Sequence, residues 1–230
     1  MYGNSEIISY LQTNKILALK LDHSIYAVGK RVADHVDALD KGVTRLLYYT
    51  SCFTDEYNDV CQQQKIQDTR FRHAITRLIR HGDIIYDMFK IYFEEIFKHK
   101  TYDQLEKIKK LLMAANVHIS ASALTGAGYA LALATSVRRG FNLSIKLSSL
   151  AGRVGGTAVT FVGFYGVVQK AADSAHFLQI RYPAYYMALY MQELEMLYFL
   201  IEPMLERAGA LKAPGASDYD IVNIITRMIR

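Results

Sequence analysis

Turn-forming residues are scarce in this 230-residue chain. It has only three prolines and little Asn-Gly or Asp-Gly chemistry, which argues against many short strands and for long helices. Two cysteines, Cys52 and Cys61, are too few for a disulfide framework. Their spacing does not match the close ligand pairs of a zinc site, so they read as two buried free thiols on a helix face. The opening segment MYGNSEIISYLQTNK has no basic region followed by an apolar core and a small-residue cleavage site. No secretory signal peptide is therefore expected. The chain is expected to be made soluble in the cytoplasm, and export would need a specialised route.

Catalytic motifs are also missing. There is no GxSxG elbow or Walker loop, and Gly126–Ala127–Gly128 lacks the third glycine of a dinucleotide fingerprint. His35 with Asp34 and Asp37 is a poor metal set, because position 39, one helical turn beyond His35, is a leucine. No catalytic residue, cofactor or metal is expected. A formal charge of +5 and a pI near 9.0 suit an acidic surface. No nucleic-acid module accompanies them, and no nucleic-acid partner is expected.

What is present is helical periodicity. About half the residues are apolar, enough for a core at this length. Asn4 or Ser5 can cap a helix to about Leu21. The residues Val28, Val32, Val36, Leu39, Val43, Leu46 and Leu47 make one stripe of a helical stretch from about Ile25 to Asp59. Lys65 to His81 sets Ile66, Phe71, Ile75 and Leu78 against the basic residues Arg70, Arg72, Arg77 and Arg80. Gly82 permits a break and Asp83 is placed to cap the next helix. Thr101 and Gln104 fit a capping box for a helix from Tyr102 to the mid-110s. Pro183 suits a first helical turn, and Pro203 is placed to kink or end that helix. In the Tyr- and Met-rich run between them, Glu193 and Glu195 read as rim carboxylates; on the membrane reading Tyr185, Tyr186, Tyr190 and Tyr198 sit at headgroup level. AGALKAPGAS reads as a linker, and Asp218 as the cap of a last helix. No fixed-period repeat is visible.

The most unusual absence lies in the middle. Positions 107–172 contain no Asp or Glu, and many of the glycines fall there or at its edges: Gly126, Gly128, Gly140, Gly152, Gly155, Gly156, Gly163 and Gly166. Carboxylates are costly to bury in hydrocarbon, so a segment destined for a bilayer is expected to lack them. The arm Met113–Val137 is long enough for a hydrocarbon core of about 30 Å, whereas Val154–Gln169 is short. Ser, Thr, Gly and Ala dominate both, which favours conditional insertion over permanent residence. Gly152 and Gly156 have GxxxG spacing and Gly163 follows one heptad on, allowing close helix approach. The same features also describe a tight core helix pair in water.

This layout resembles pore-forming bacterial toxins of the colicin type, in which amphipathic helices wrap an apolar hairpin. The run ALTGAGYALALATS…GRVGGTAVTFVGFYGVV is also similar to the small-residue hairpin of apolipoprotein L. The arms here are more polar and further apart than a colicin hairpin, and a longer segment comes after them. The expectation is one all-α domain over 1–230: amphipathic helices in 1–112, an apolar hairpin in 113–172 and C-terminal helices in 173–230. The resemblance implies a membrane-active antibacterial toxin. Gly126, Gly128, Gly152, Gly156, Gly163 and Gly166 would lie in its inserting segment. Arg70, Arg72, Arg77, Arg80, Arg138 and Arg139 would make the first contact with an anionic surface. Expected partners are a lipid membrane, an immunity or chaperone protein, and further copies of the chain. The competing expectation is a non-enzymatic helical interaction protein or oligomeric scaffold with a Gly-rich helix–helix core.

Overall fold

The computed structural model describes residues 33–53, 55, 57–80, 83–117, 125–141 and 157–229. Among these residues there are helices and turns but no strands, so the fold is all-α. In chain order the α-helices are α1 (Ala33–Tyr49), α2 (Asn58–Arg80), α3 (Ile84–Phe97), α4 (Tyr102–Ala114), α5 (Gly126–Gly140), α6 (Thr157–Arg181), α7 (Pro183–Met191), α8 (Glu202–Ala208) and α9 (Asp218–Ile229). Short 3-10 segments lie at Thr50–Phe53, Glu195–Leu200 and Ala210–Lys212. The expected first helix, from residue 4 or 5 to 21, lies outside the described residues.

The chain forms two compact units. One comprises Met1–Arg72 and Ile145–Asp173, the other His73–Ser144 and Ser174–Arg230. Two of the boundaries, after Arg72 and after Asp173, fall inside α2 and α6, so each of these helices contributes to both units.

In the first unit, the helix expected to run to Asp59 stops at Tyr49. The hydroxyls of Thr50 and Ser51 donate to the carbonyls of Leu47 and Tyr48, a local bonding pattern that competes with helix continuation. A 3-10 turn comes next, and α2 starts afresh at Asn58. This break corrects the reading of the cysteines. On one continuous helix, residues nine apart would be separated by about 13.5 Å. The reversal instead brings the Cα atoms of Cys52 and Cys61 to 4.9 Å, and they form a disulfide.

The second unit is built on α3. Ile84, Ile85, Met88, Phe89, Tyr92, Phe93, Ile96 and Phe97 are all buried, pairs recurring every four residues that give a broad apolar face. Against it packs α5, which buries Tyr129, Ala130, Leu133, Ala134 and Val137 in the same rhythm. Gly126 allows the close start of this pairing, because a Cβ there would lie 3.3 Å from the Phe97 carbonyl oxygen. Tyr92 meets Phe93, Tyr182 and Tyr185 edge-on at centroid distances of 5.2, 6.5 and 5.4 Å, the geometry aromatic quadrupoles favour. The Tyr185 hydroxyl donates to the Met88 carbonyl at 2.9 Å and ties α7 to α3.

The capping box of α4 is present: the Gln104 N–H donates to Thr101 Oγ1 at 3.3 Å, and the Thr101 N–H to Gln104 Oε1 at 3.0 Å. Helix α4 buries Leu105, Ile108 and Leu112 and packs with α9, which buries Ile221, Val222, Ile224, Ile225 and Met228. Three local readings need correction. Pro203 opens α8 in its first turn rather than ending a helix, because the preceding run already breaks at Gln192 and Glu193, the latter with φ of 53°. The AGALKAPGAS stretch is packed: Ala208, Ala210 and Ala213 are buried, and the Ala210 carbonyl accepts from the Tyr92 hydroxyl at 2.8 Å. The cap of α9 is Ser217, whose Oγ accepts the Asp220 N–H at 3.2 Å; Asp218 is held by lysines instead.

Candidate functional site

The carboxylate-free segment does not form two uninterrupted spanning arms. Within 113–137, helix α4 ends at Ala114, Asn116 takes a left-handed φ of 60°, and α5 begins only at Gly126. The second arm belongs to α6, which begins at Thr157 and runs on to Arg181. Helix α5 lies in the second unit, whereas the 157–173 part of α6 belongs to the first. Among the described residues, no helix is long and apolar enough to cross a membrane.

The glycines expected in the inserting segment have separate roles or places. Gly126 starts α5 against Phe97. The Gly128 N–H donates to Thr125 Oγ1 at 3.1 Å, completing the cap of that helix. Gly166 is buried within α6, and Gly163 lies in the same helix. Gly152 and Gly156 lie outside the described residues.

The basic residues are likewise divided. Arg70 and Arg77 fall seven residues apart on one flank of α2, while Arg72 projects from nearly the opposite side. The Arg77 guanidinium donates to the Gln192 carbonyl. His73 lies 3.6 Å from Glu193. Arg80 is exposed. At the end of α5, Arg138 pairs with Asp83 and donates to the Phe141 carbonyl at 3.3 Å. Asp83 therefore makes no side-chain cap for α3. With Tyr86, Thr135 and the exposed Arg139, these residues line an open groove of 380 Å³. One paired and one exposed guanidinium at an open rim suit a surface anion better than an enclosed ligand.

Tyr185 and Tyr198 are buried core residues rather than headgroup-level side chains, and Glu195 is buried as well. Tyr190 is exposed, with its ring against Tyr186 at 5.8 Å. Burial, strengthened by Glu202 and Glu206, holds the Tyr198 hydroxyl well above its ordinary range. The Tyr198 and Tyr129 hydroxyls have no hydrogen-bond partner among the described residues.

The first unit contains a polar centre that periodicity hides. Arg45 falls on the helix side opposite the expected apolar stripe, where solvent contact would be expected, yet it has no exposed surface, while Leu46 of that stripe is exposed. Its guanidinium donates to Asp68, to Gln67 Oε1 at 3.2 Å, to the Gln64 carbonyl at 3.2 Å and to Gln169 Oε1 at 3.1 Å. Tyr49 donates to the other Asp68 oxygen; burial, then that hydrogen bond, push the phenol well above its usual range. Gln169 Nε2 donates onward to Asp173 at 2.8 Å, and Lys41 pairs with the same carboxylate at 3.7 Å. A single Arg on the polar side of a helix signals such a centre only once its partners are located. Among the described residues, no cluster of His, Cys, Asp and Glu can hold a metal ion.

Comparison with protein-family models, with curated proteins and with solved structures finds no match to the chain.

Proposed function

We propose that this chain is a membrane-active antibacterial toxin or effector that binds an anionic bilayer and inserts part of 113–172 to depolarise it. The observation that carries the reading is the acid-free stretch 107–172, whose helix α5 has only Arg138 and Arg139 as charged side chains, both in its last turn. Moving such a helix into lipid requires no carboxylate to be desolvated, and terminal arginines can remain at the headgroups. Helix α5 alone is about 22 Å long, short of a hydrocarbon core of about 30 Å. Insertion on this reading therefore exchanges the α3 contact for lipid and straightens the break at Asn116. The Cys52–Cys61 bridge suits an oxidising destination outside the cytosol. An immunity or chaperone protein that covers the inserting segment would protect the producing cell.

The test is dye release from anionic liposomes between pH 4 and 7.5, with Val159→Asp as the variant. Release by the parent chain and its loss in a variant of unchanged helicity support the reading. Equal release by the variant counts against the hairpin.

A second reading is a non-enzymatic helical interaction protein or oligomer. It is favoured by the burial of the α5 face of Tyr129, Ala130, Leu133, Ala134 and Val137 against α3, an ordinary interior contact in water. Silence in the release assay together with a stable dimer in sedimentation supports this alternative.

A further inference from the structure

Helix α7 has an apolar face on both sides. Tyr185 and Leu189 are buried, while Pro183, Ala184, Met187, Tyr190 and Met191 are exposed at helical spacing. No residue of α7 carries a charge. Met187 is 51% exposed and Met191 74%, and Ile180 just upstream in α6 is 66% exposed. A soluble helix normally turns charged side chains outward, so an outward stripe of this composition indicates a contact surface.

We infer that this α7 stripe is the surface by which the protein first lies on an anionic bilayer. The inference rests on the membrane-active reading above and specifies which face makes contact. Charge around the stripe favours that occupant. Arg181 is exposed before the helix, beside the Phe177 ring at 5.5 Å, and Arg77 is fixed to the Gln192 carbonyl after it. The nearby carboxylate of Glu193 is met by His73. Cations thus flank an uncharged Met and Tyr surface, the composition of a helix that lies in a membrane interface. The area also favours lipid. Helix α7 has nine residues and is about 13.5 Å long, too short for its stripe with Ile180 to supply the roughly 800 Å² per partner of a standard protein interface. A bilayer accepts a convex apolar strip without needing a complementary groove.

The chain has no tryptophan, so Met191→Trp introduces a single indole reporter on the stripe. The full chain carrying this substitution is mixed with phosphatidylcholine vesicles with and without phosphatidylglycerol. Binding is followed separately by co-sedimentation of the parent chain. The expected result is a blue-shifted emission with anionic vesicles, quenching by acyl-brominated lipid, and at least tenfold weaker sedimentation of Met187→Glu/Met191→Glu at unchanged helicity. Vesicle binding with an unshifted indole overturns the assignment of this face but leaves the membrane reading standing. Absence of binding by the parent chain overturns both. A lipid-independent shift that rises with protein concentration and doubles the sedimenting mass makes a second copy the occupant and overturns the assignment. Binding with a shifted indole but no dye release upholds the contact face while removing insertion.

Discussion

Arg45 donates its Nε–H to Asp68 Oδ1 at 3.0 Å although its side chain has no exposed surface, so one charge of the pair has been taken wholly out of water. Asp68 keeps partial exposure, and Gln64, Gln67 and Gln169 occupy further guanidinium donors. Desolvating a guanidinium is tolerated only with such a full set of acceptors. Removing the carboxylate by Asp68→Ala should destabilise the fold by about 3 kcal/mol. The double change Arg45→Met/Asp68→Leu should recover most of that loss. Urea unfolding of the parent and the two variants checks both expectations.

The disulfide gives a second expectation. Closing a short loop lowers the entropy of the unfolded chain, worth about 2.5 kcal/mol for a loop of this size. Cys52→Ser/Cys61→Ser, or reduction of the parent chain, should lower the urea midpoint by a corresponding amount. A thiol assay should find no reactive sulfhydryl before reduction. Two free thiols in the unreduced protein would contradict the bridge.

Asp218 should make α9 docking acid-sensitive. Burial pushes its carboxyl up, but hydrogen bonds and charge from Lys100 at 3.0 Å and Lys107 at 3.3 Å outweigh it, and the net shift is downward. A carboxyl depressed in the fold contributes stability above its unfolded pKa of about 3.9, and that contribution is lost as pH falls through the lower folded value. Asp218→Asn should therefore be less stable than the parent at pH 7. The two proteins should converge at the acid end of a urea-midpoint series.

Tyr182 gives the opposite limb. Burial, with a contribution from Glu95, pushes its hydroxyl up to about 12. A raised tyrosine favours the neutral form in the fold. Its stabilising contribution is complete below the unfolded pKa of about 10 and disappears as pH rises towards 12. Titration of absorbance at 295 nm should show a late tyrosinate rise that is smaller by one tyrosine in Tyr182→Phe, because other buried tyrosines also titrate late. The variant should also lose less stability across that interval.

Local rules were legible where the partners are close in sequence. The Thr101/Gln104 box and Pro183 at the start of α7 depend on atoms within one turn, and both occur as expected. The Asp83 and Asp218 caps failed for the same physical reason. Each carboxylate found a cation from a distant segment, Arg138 in one case and Lys100 with Lys107 in the other. The Arg45 centre was hidden because periodicity sorts residues by type and cannot show that Asp68 and Gln169 will converge on one guanidinium. In the candidate membrane site, composition displayed the missing acids, while the outward stripe of α7 became visible only when Tyr185 and Leu189 turned inward.

The sequence by itself determined the helical class, the capping box within one turn, and an acid-free middle, because these depend on residue type and on interactions between near neighbours. Tertiary structure alone decided that two cysteines nine apart would join, that Arg45 would be buried, and which apolar face of α7 would remain outside. Those outcomes depend on which distant groups meet, and the free energy of a buried charge or an uncovered methionine is set by that meeting.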